Sequence, residues 1–135
     1  MKTVIQKRIM NFQLDSFNMV HHARYLEFME EGRWMYCYEN NLMDEYDNRG
    51  IYHVVVNINI NYRLSATIGD LITINTELSR ITEKSVIFKQ TALKDENVLV
   101  MADITNVFLN ATSNAVIPAK EMASFWGDIA LLKNQ

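Results

Sequence analysis

The sequence predicts an α+β domain in which one long helix is laid across an antiparallel sheet. Three observations carry that expectation. A single amphipathic helical run lies in the first third of the chain, four strand-like runs follow it in succession, and the connectors between those runs are too short for crossovers. At 135 residues the chain has a common size for one domain and can enclose one sizeable core. No repeat or change of composition marks a boundary, so residues 1–135 are expected to form a single domain.

Residues 3–12 are rich in β-branched and apolar side chains without helical period and are predicted to form the first strand. Residues 15–22 are expected to be a loop. From Ala23, the residues Tyr25, Phe28, Met29, Gly32, Met35 and Tyr36 recur at steps of three and four, while Arg24, Glu27, Glu30, Glu31 and Arg33 occupy other faces. This spacing predicts a helix of about five turns ending near Asn40 and Asn41. Gly32 falls on the apolar stripe, where glycine costs roughly 1 kcal/mol relative to alanine. A close backbone approach by another element would explain it.

Residues 44–50 are polar and end in "DNRG", which predicts a turn. Residues 53–61, "HVVVNININ", then alternate cleanly, with Val54, Val56, Ile58 and Ile60 on one face and Asn57, Asn59 and Asn61 on the other. Residues 71–81 repeat the alternation after a Gly69-Asp70 turn. Residues 84–93 and 98–109 form the last two runs, separated by "KDEN", a predicted hairpin loop. Pro118 precedes a short amphipathic stretch, residues 119–132, with Met122, Phe125, Trp126 and Ile129 at helical spacing.

Composition narrows the function. Thirteen basic and sixteen acidic residues give a net charge of -3, and the basic residues are scattered, which argues against a nucleic-acid surface. One cysteine, Cys37, excludes an intrachain disulfide and a cysteine-rich metal site. It is expected to be a small core residue, in a protein of a reducing, cytoplasmic compartment. The opening "MKTVIQKRIMN" lacks the continuous apolar region of a signal peptide, and no run approaches the ~20 apolar residues of a membrane span.

The chemistry is expected at the junction "LDSFNMVHHARYLEFMEEGRW". The first turn of a helix presents unpaired N–H groups with a partial charge of roughly +0.5, able to hold an anion or a developing oxyanion. A carboxylate carried there by a folded-back loop would act as base or nucleophile on a carbonyl polarised by those amides, which is the chemistry of acyl transfer or hydrolysis. Asp15 has the bland alternative of an Asx-turn that caps its own loop. His21 and His22 could equally be hydrogen-bonded structural residues. A zinc site built from Asp15, His21, His22 and His53 is disfavoured, because adjacent histidines rarely aim both rings at one ion. Glu27, Glu30 and Glu31 read as a solvated face with Arg24 and Arg33 nearby.

Asp15, Val20, His22, Tyr25, Phe28, Glu30 and Arg33 stand in the register of the hot-dog-fold acyl-CoA thioesterases of the 4-hydroxybenzoyl-CoA thioesterase and YbgC-like kind. The segment "INYRLSATIGDLITINTELSRITEKSVIFKQTAL", with Gly69-Asp70 and Ser85-Val86, and the late "AVIP" also resemble that family. The resemblance implies a hot-dog fold, a long central helix wrapped by a curved antiparallel β-sheet of about five strands. It implies hydrolysis of acyl-CoA, by a homodimer or homotetramer, with no metal or cofactor beyond the CoA ester itself as substrate. Asp15 would be the catalytic carboxylate. The His22 N–H would polarise the carbonyl and its imidazole would be an auxiliary group. Asn18, Val20, His21 and Tyr25 would line the substrate, and Arg63, Lys84 and Ser85 are candidates to meet CoA. An acyl carrier protein is a further candidate partner.

The loop departs from the family pattern. Asn18 stands where glycine is usual, and Asn tolerates a left-handed backbone better than most residues. Phe17 adds bulk, and His21 replaces a frequent aromatic. Two other activities fit the fold: a non-catalytic acyl-CoA or acyl-carrier binding domain, and a dehydratase or hydratase. The histidine of the latter usually lies in a proline- and glycine-rich loop, unlike residues 15–22.

Overall fold

The computed structural model describes residues 2–122. Its elements are β1 (Lys2–Arg8), α1 (His22–Glu39), α2 (Leu42–Arg49), β2 (Ile51–Tyr62), β3 (Leu71–Ile81), β4 (Ser85–Lys94), β5 (Asn97–Asn110) and β6 (Val116–Ile117). The strands form one antiparallel sheet in the order β1-β3-β4-β5-β2, with β6 paired to β5. The expected long helix on a curved sheet is therefore present, with six strands in place of about five.

The helix α1 lies on the inner face because Tyr25, Phe28, Met29, Gly32, Tyr36 and Cys37 are buried along one stripe. They meet alternate residues of the strands, among them Ile72, Ile74, Leu78, Phe88, Ala92, Val100, Ile104 and Phe108. Asn40 closes α1, and the left-handed Asn41 (φ 59°) turns the chain into the next element. Cys37 is a buried core residue, as expected.

Three boundaries differ from the sequence expectation. β1 stops at Arg8, and Asn11–Gln13 form a 3-10 turn closed by Gln13, whose Oε1 accepts the Met10 N–H at 2.8 Å. The predicted polar turn of residues 44–50 is the C-terminal part of α2. Leu42 and Tyr46 are buried one turn apart, Arg49 pairs with Glu45 at 2.9 Å, and Gly50 (φ 65°) supplies the left-handed cap. A two-residue strand, β6, follows the β5 hairpin. Among residues 119–132, Ala119–Met122 form a 3-10 turn; Phe125, Trp126 and Ile129 lie outside the described residues.

The Lys94-to-Asn97 hairpin holds in register, with Lys94 paired to Asn97 and Asp95 left-handed (φ 54°). Among the described residues, β2 forms one edge of the sheet and pairs only with β5. A bulge between Val55 and Asn57 breaks its alternation. Much of its apolar surface therefore stays exposed, including Val55, Val56 and Ile58.

Candidate active site

The loop ahead of α1 is a closed Ω-shaped turn. Leu14 bridges to Val20, the Asp15 N–H donates to the Met19 carbonyl at 2.8 Å, and the His21 N–H donates to the Gln13 carbonyl at 3.0 Å. These pairings fold residue 15 back beside the start of the helix. Asn18 occupies the tip with φ 61°, the left-handed conformation that glycine would otherwise supply. The Thr67 hydroxyl donates to the Asn18 carbonyl at 2.8 Å, and the Val20 N–H donates to the Ala66 carbonyl at 2.9 Å. The facing segment is braced in turn by Asp70, which accepts the Thr67 N–H and pairs with Lys94 at 2.9 Å. Those two partners hold its carboxyl below the usual range, the Thr67 amide contributing most.

Asp15 is half-buried. Its Oδ1 accepts the Phe17 N–H at 2.8 Å and the Met19 N–H at 3.2 Å, so the Asx-type cap exists. Its Oδ2 takes no hydrogen bond from the described residues. One oxygen fixes the loop while the other keeps its lone pairs. The two readings of Asp15 are therefore compatible in one side chain.

The helix begins one residue before Ala23. His21 is the N-cap, its Nδ1 accepting the Ala23 N–H at 3.1 Å, and the Arg24 N–H donates to the His21 carbonyl at 2.9 Å. His22 is the first helical residue, and its N–H has no acceptor among the described residues. The two imidazoles stack with centroids 4.4 Å apart. Tyr62 reaches over from the end of β2, its hydroxyl donating to the His22 carbonyl at 3.2 Å and its ring edge facing His22.

Tyr25 is only 2% exposed and packs edge-on against Phe28 and Tyr62. Burial, above all, raises its hydroxyl above the ordinary tyrosine range. Val20 belongs to the core. A cleft of about 260 Å³ opens beside the junction, bordered by Phe12, Leu14, His21, Ala23, Arg24 and Glu27 but not by Asp15. Phe12 on its border is exposed, as are Phe17 and Met19 in the loop and Leu64 and Ile68 in the segment after β2, with Phe17 76% exposed.

Arg63 and Lys89 share a groove of about 320 Å³ on the outer sheet face with Asn59, Asn61 and Asp103. Lys84 and Ser85 are elsewhere. Ser85 pairs with Val107, which pairs with Val54, whereas Arg63 follows Tyr62 at the opposite end of β2. Eight strand residues separate these ends, roughly 26 Å at about 3.3 Å per residue. The Ser85 hydroxyl is already bonded to Thr82 Oγ1 at 2.7 Å. Within one chain these three candidates do not converge.

The acidic residues of α1 behave mainly as surface charge, with Arg24–Glu27 at 3.0 Å and Lys7–Glu31 at 2.9 Å. Arg33 departs from that expectation. Its guanidinium turns inward and donates to Gln90 Oε1 at 2.8 Å. His53 lies at the far end of β2, between Phe108 and Tyr46, away from His21 and His22. Tyr62 and Thr67 carry no motif signal. Only the pairing of distant segments makes them neighbours of the junction.

Comparison with known proteins agrees with the fold. A family model described as the Thioesterase-like superfamily matches residues 12–127. The long-chain acyl-CoA thioesterase FadM of Escherichia coli is 38% identical over 104 residues, covering 77% of this chain and 79% of the relative. The acyl-CoA thioesterase YbgC of Haemophilus influenzae is 28% identical over 92 residues, covering 67% and 68%. The crystal structure of YbaW, a probable thioesterase from Escherichia coli, superposes with a TM-score of 0.84 at 31% identity, covering 96% of this chain and 95% of that one.

Proposed function

The chain belongs to the Thioesterase-like superfamily, and on that premise we propose that it hydrolyses acyl-CoA thioesters to a carboxylic acid and free CoA, with Asp15 and the amide end of α1 as its working parts. The observation that supports this most is the division of labour at Asp15. Oδ1 is held by two loop amides, and Oδ2 is left for a water or the thioester itself, in the same turn that delivers the unbonded His22 N–H.

In the hydrolytic step, Oδ2 accepts a proton from water as the water oxygen bonds to the thioester carbon. Negative charge grows on the carbonyl oxygen, where the His22 N–H and the helix dipole stabilise it. Collapse breaks the C–S bond, and the thiolate leaves with the proton taken from water. Direct attack by Oδ2 is the alternative first step, with water then cleaving the acyl-aspartate. The His22 imidazole is an auxiliary proton carrier or orienting group. His21 positions the helix end, and Asn18 shapes the loop. Tyr25 and Val20 support the acyl wall from beneath, while Phe17 and its apolar neighbours offer a surface for an acyl chain. No metal or prosthetic group enters these steps.

The working unit is proposed to be a homodimer, with a tetramer as a further assembly. β2 is a twelve-residue edge with exposed apolar side chains, a form that invites pairing with another strand. Antiparallel pairing of two β2 edges about a twofold axis sets the His53 end of one beside the Tyr62 end of the other. That arrangement brings Lys84 and Ser85 of one copy toward Arg63 of its neighbour, where they could share the phosphates of CoA. Among the described residues no helix is long and apolar enough to cross a membrane. A cytoplasmic location and an acyl-CoA or acyl-carrier substrate are parts of the same proposal.

Release of thiol from a panel of aliphatic and aromatic acyl-CoAs tests it. Turnover that disappears in Asp15→Asn is expected. Binding of CoA esters by folded protein without turnover would favour a non-catalytic binding domain. Hydration of a crotonyl thioester would favour the hydratase.

A further inference from the structure

Two peptide units meet at the α-carbon of His22, and together they carry four polar groups. In the first unit the His21 carbonyl accepts the Arg24 N–H at 2.9 Å, while the His22 N–H has no acceptor among the described residues. In the second unit the Ala23 N–H donates to His21 Nδ1 at 3.1 Å, and the His22 carbonyl accepts the Tyr62 hydroxyl at 3.2 Å. A peptide unit is rigid and planar, so holding both of its ends fixes its orientation. The second unit is held in this way, and the first is held at its carbonyl. With both planes set, so are φ and ψ of His22 and the direction of its free N–H. Two of the three ties are local to the helix tip. The third comes from forty positions further along the chain, at the last residue of β2.

The Tyr62 ring adds to the restraint. It stands nearly perpendicular to the His22 imidazole, at 87° with centroids 6.2 Å apart, and it packs at 6.0 Å against the buried ring of Tyr25. His21 stacks on the same imidazole. Tyr62 is itself 44% exposed, so removing its hydroxyl strands no buried donor and costs the fold little. Burial raises that hydroxyl above the ordinary tyrosine range, and it stays a donor at working pH.

We infer that Tyr62 is a positioning residue for thioester cleavage: its hydroxyl locks the peptide unit that follows His22 and so keeps the free His22 N–H aimed at the developing oxyanion. The inference rests on the hydrolase reading proposed above. Tyr62 acts through His22 and has no need to touch the substrate. Aim matters more in the transition state than in the ground state, because charge on the carbonyl oxygen grows only as the tetrahedral species forms. The effect therefore belongs in kcat and not in KM.

Steady-state thiol release by the full-length protein tests this, with thermal melts alongside. Tyr62→Phe is expected to lower kcat about tenfold, less than the loss of an oxyanion donor itself. KM should stay within about twofold, and the melting temperature should hold. A second variant carries a ring-difluorinated tyrosine at position 62, whose hydroxyl ionises near neutral pH. As that proton leaves, the donor is lost, and kcat should fall with the ionisation while the unaltered protein shows no matching step. This variant decides the matter if Tyr62→Phe does not fold. An unchanged kcat, a rise in KM alone, or a loss of kcat that tracks a lowered melting temperature would overturn the inference and leave the hydrolase reading standing. Absence of turnover in the unaltered protein would sink that reading itself, and the positioning role with it.

Discussion

Gly32 of α1 lies so close to Thr76 of β3 that a Cβ on the glycine would stand 2.6 Å from the threonine Oγ1. That hydroxyl cannot swing aside freely, because it accepts a hydrogen bond from Gln90 Nε2 at 2.7 Å. Gly32→Ala should therefore destabilise the fold by about 1–3 kcal/mol through overpacking, despite the better helix propensity of alanine. Urea denaturation measures this. Adding Thr76→Ala should recover part of the loss, and strict additivity of the two substitutions would contradict a steric origin.

Gln90 is the hub under the same helix turn. Its Nε2 donates to the Met29 carbonyl at 2.8 Å and to Thr76, while its Oε1 accepts from Arg33. Gln90→Leu should cost about 3 kcal/mol, because it strands an inward-facing guanidinium along with a buried carbonyl. A loss below about 1 kcal/mol in denaturant titration would mean that water or a rearranged Arg33 replaces the amide.

Asparagine and alanine at position 15 should behave differently. Asn keeps an Oδ1 to accept the Phe17 and Met19 amides but carries no base, so Asp15→Asn should retain its melting temperature and lose about 10²–10⁴-fold in kcat. Asp15→Ala should lose activity and also about 1 kcal/mol of stability, through the missing cap. Thiol-release kinetics and thermal melts on both variants separate the two roles.

His53 makes stability depend on pH. Its folded-state value is near 3 against an ordinary 6.5, chiefly because the ring is buried among Phe108, Tyr46 and Phe88. The unfolded chain gains a proton as pH falls through 6.5, while the native state refuses it until about 3. The His53 contribution is thus intact above 6.5 and is lost between 6.5 and 3, by up to roughly 1.4 kcal/mol per pH unit. His53→Phe should flatten that part of the stability-pH curve; an unchanged slope would show that the ring is hydrated.

Charge on the free edge tests the assembly. Val56 is 56% exposed on β2, so a single chain should tolerate Val56→Lys with less than about 1 kcal/mol lost. In a dimer paired through β2, the same substitution should shift sedimentation toward monomer and reduce thioesterase activity together. A variant that stays dimeric and active would move the interface elsewhere.

The sequence by itself determined what is periodic and local. The buried stripe of α1, the alternation of β3 to β5, the Gly69 turn and the left-handed tolerance of Asn18 each follow from residue spacing or from backbone sterics at one position. Gly32 belongs there too, since a glycine on an apolar helical stripe already implies a close neighbour. The tertiary structure alone decided which neighbour that is. It also turned Arg33 inward to Gln90, set Tyr62 and Thr67 against the junction, left β2 as an open edge, and put Arg63 and Ser85 at opposite ends of the sheet. These are facts of pairing between segments tens of residues apart. Helix and strand periods record which face of an element is buried, but not which distant side chain will meet it.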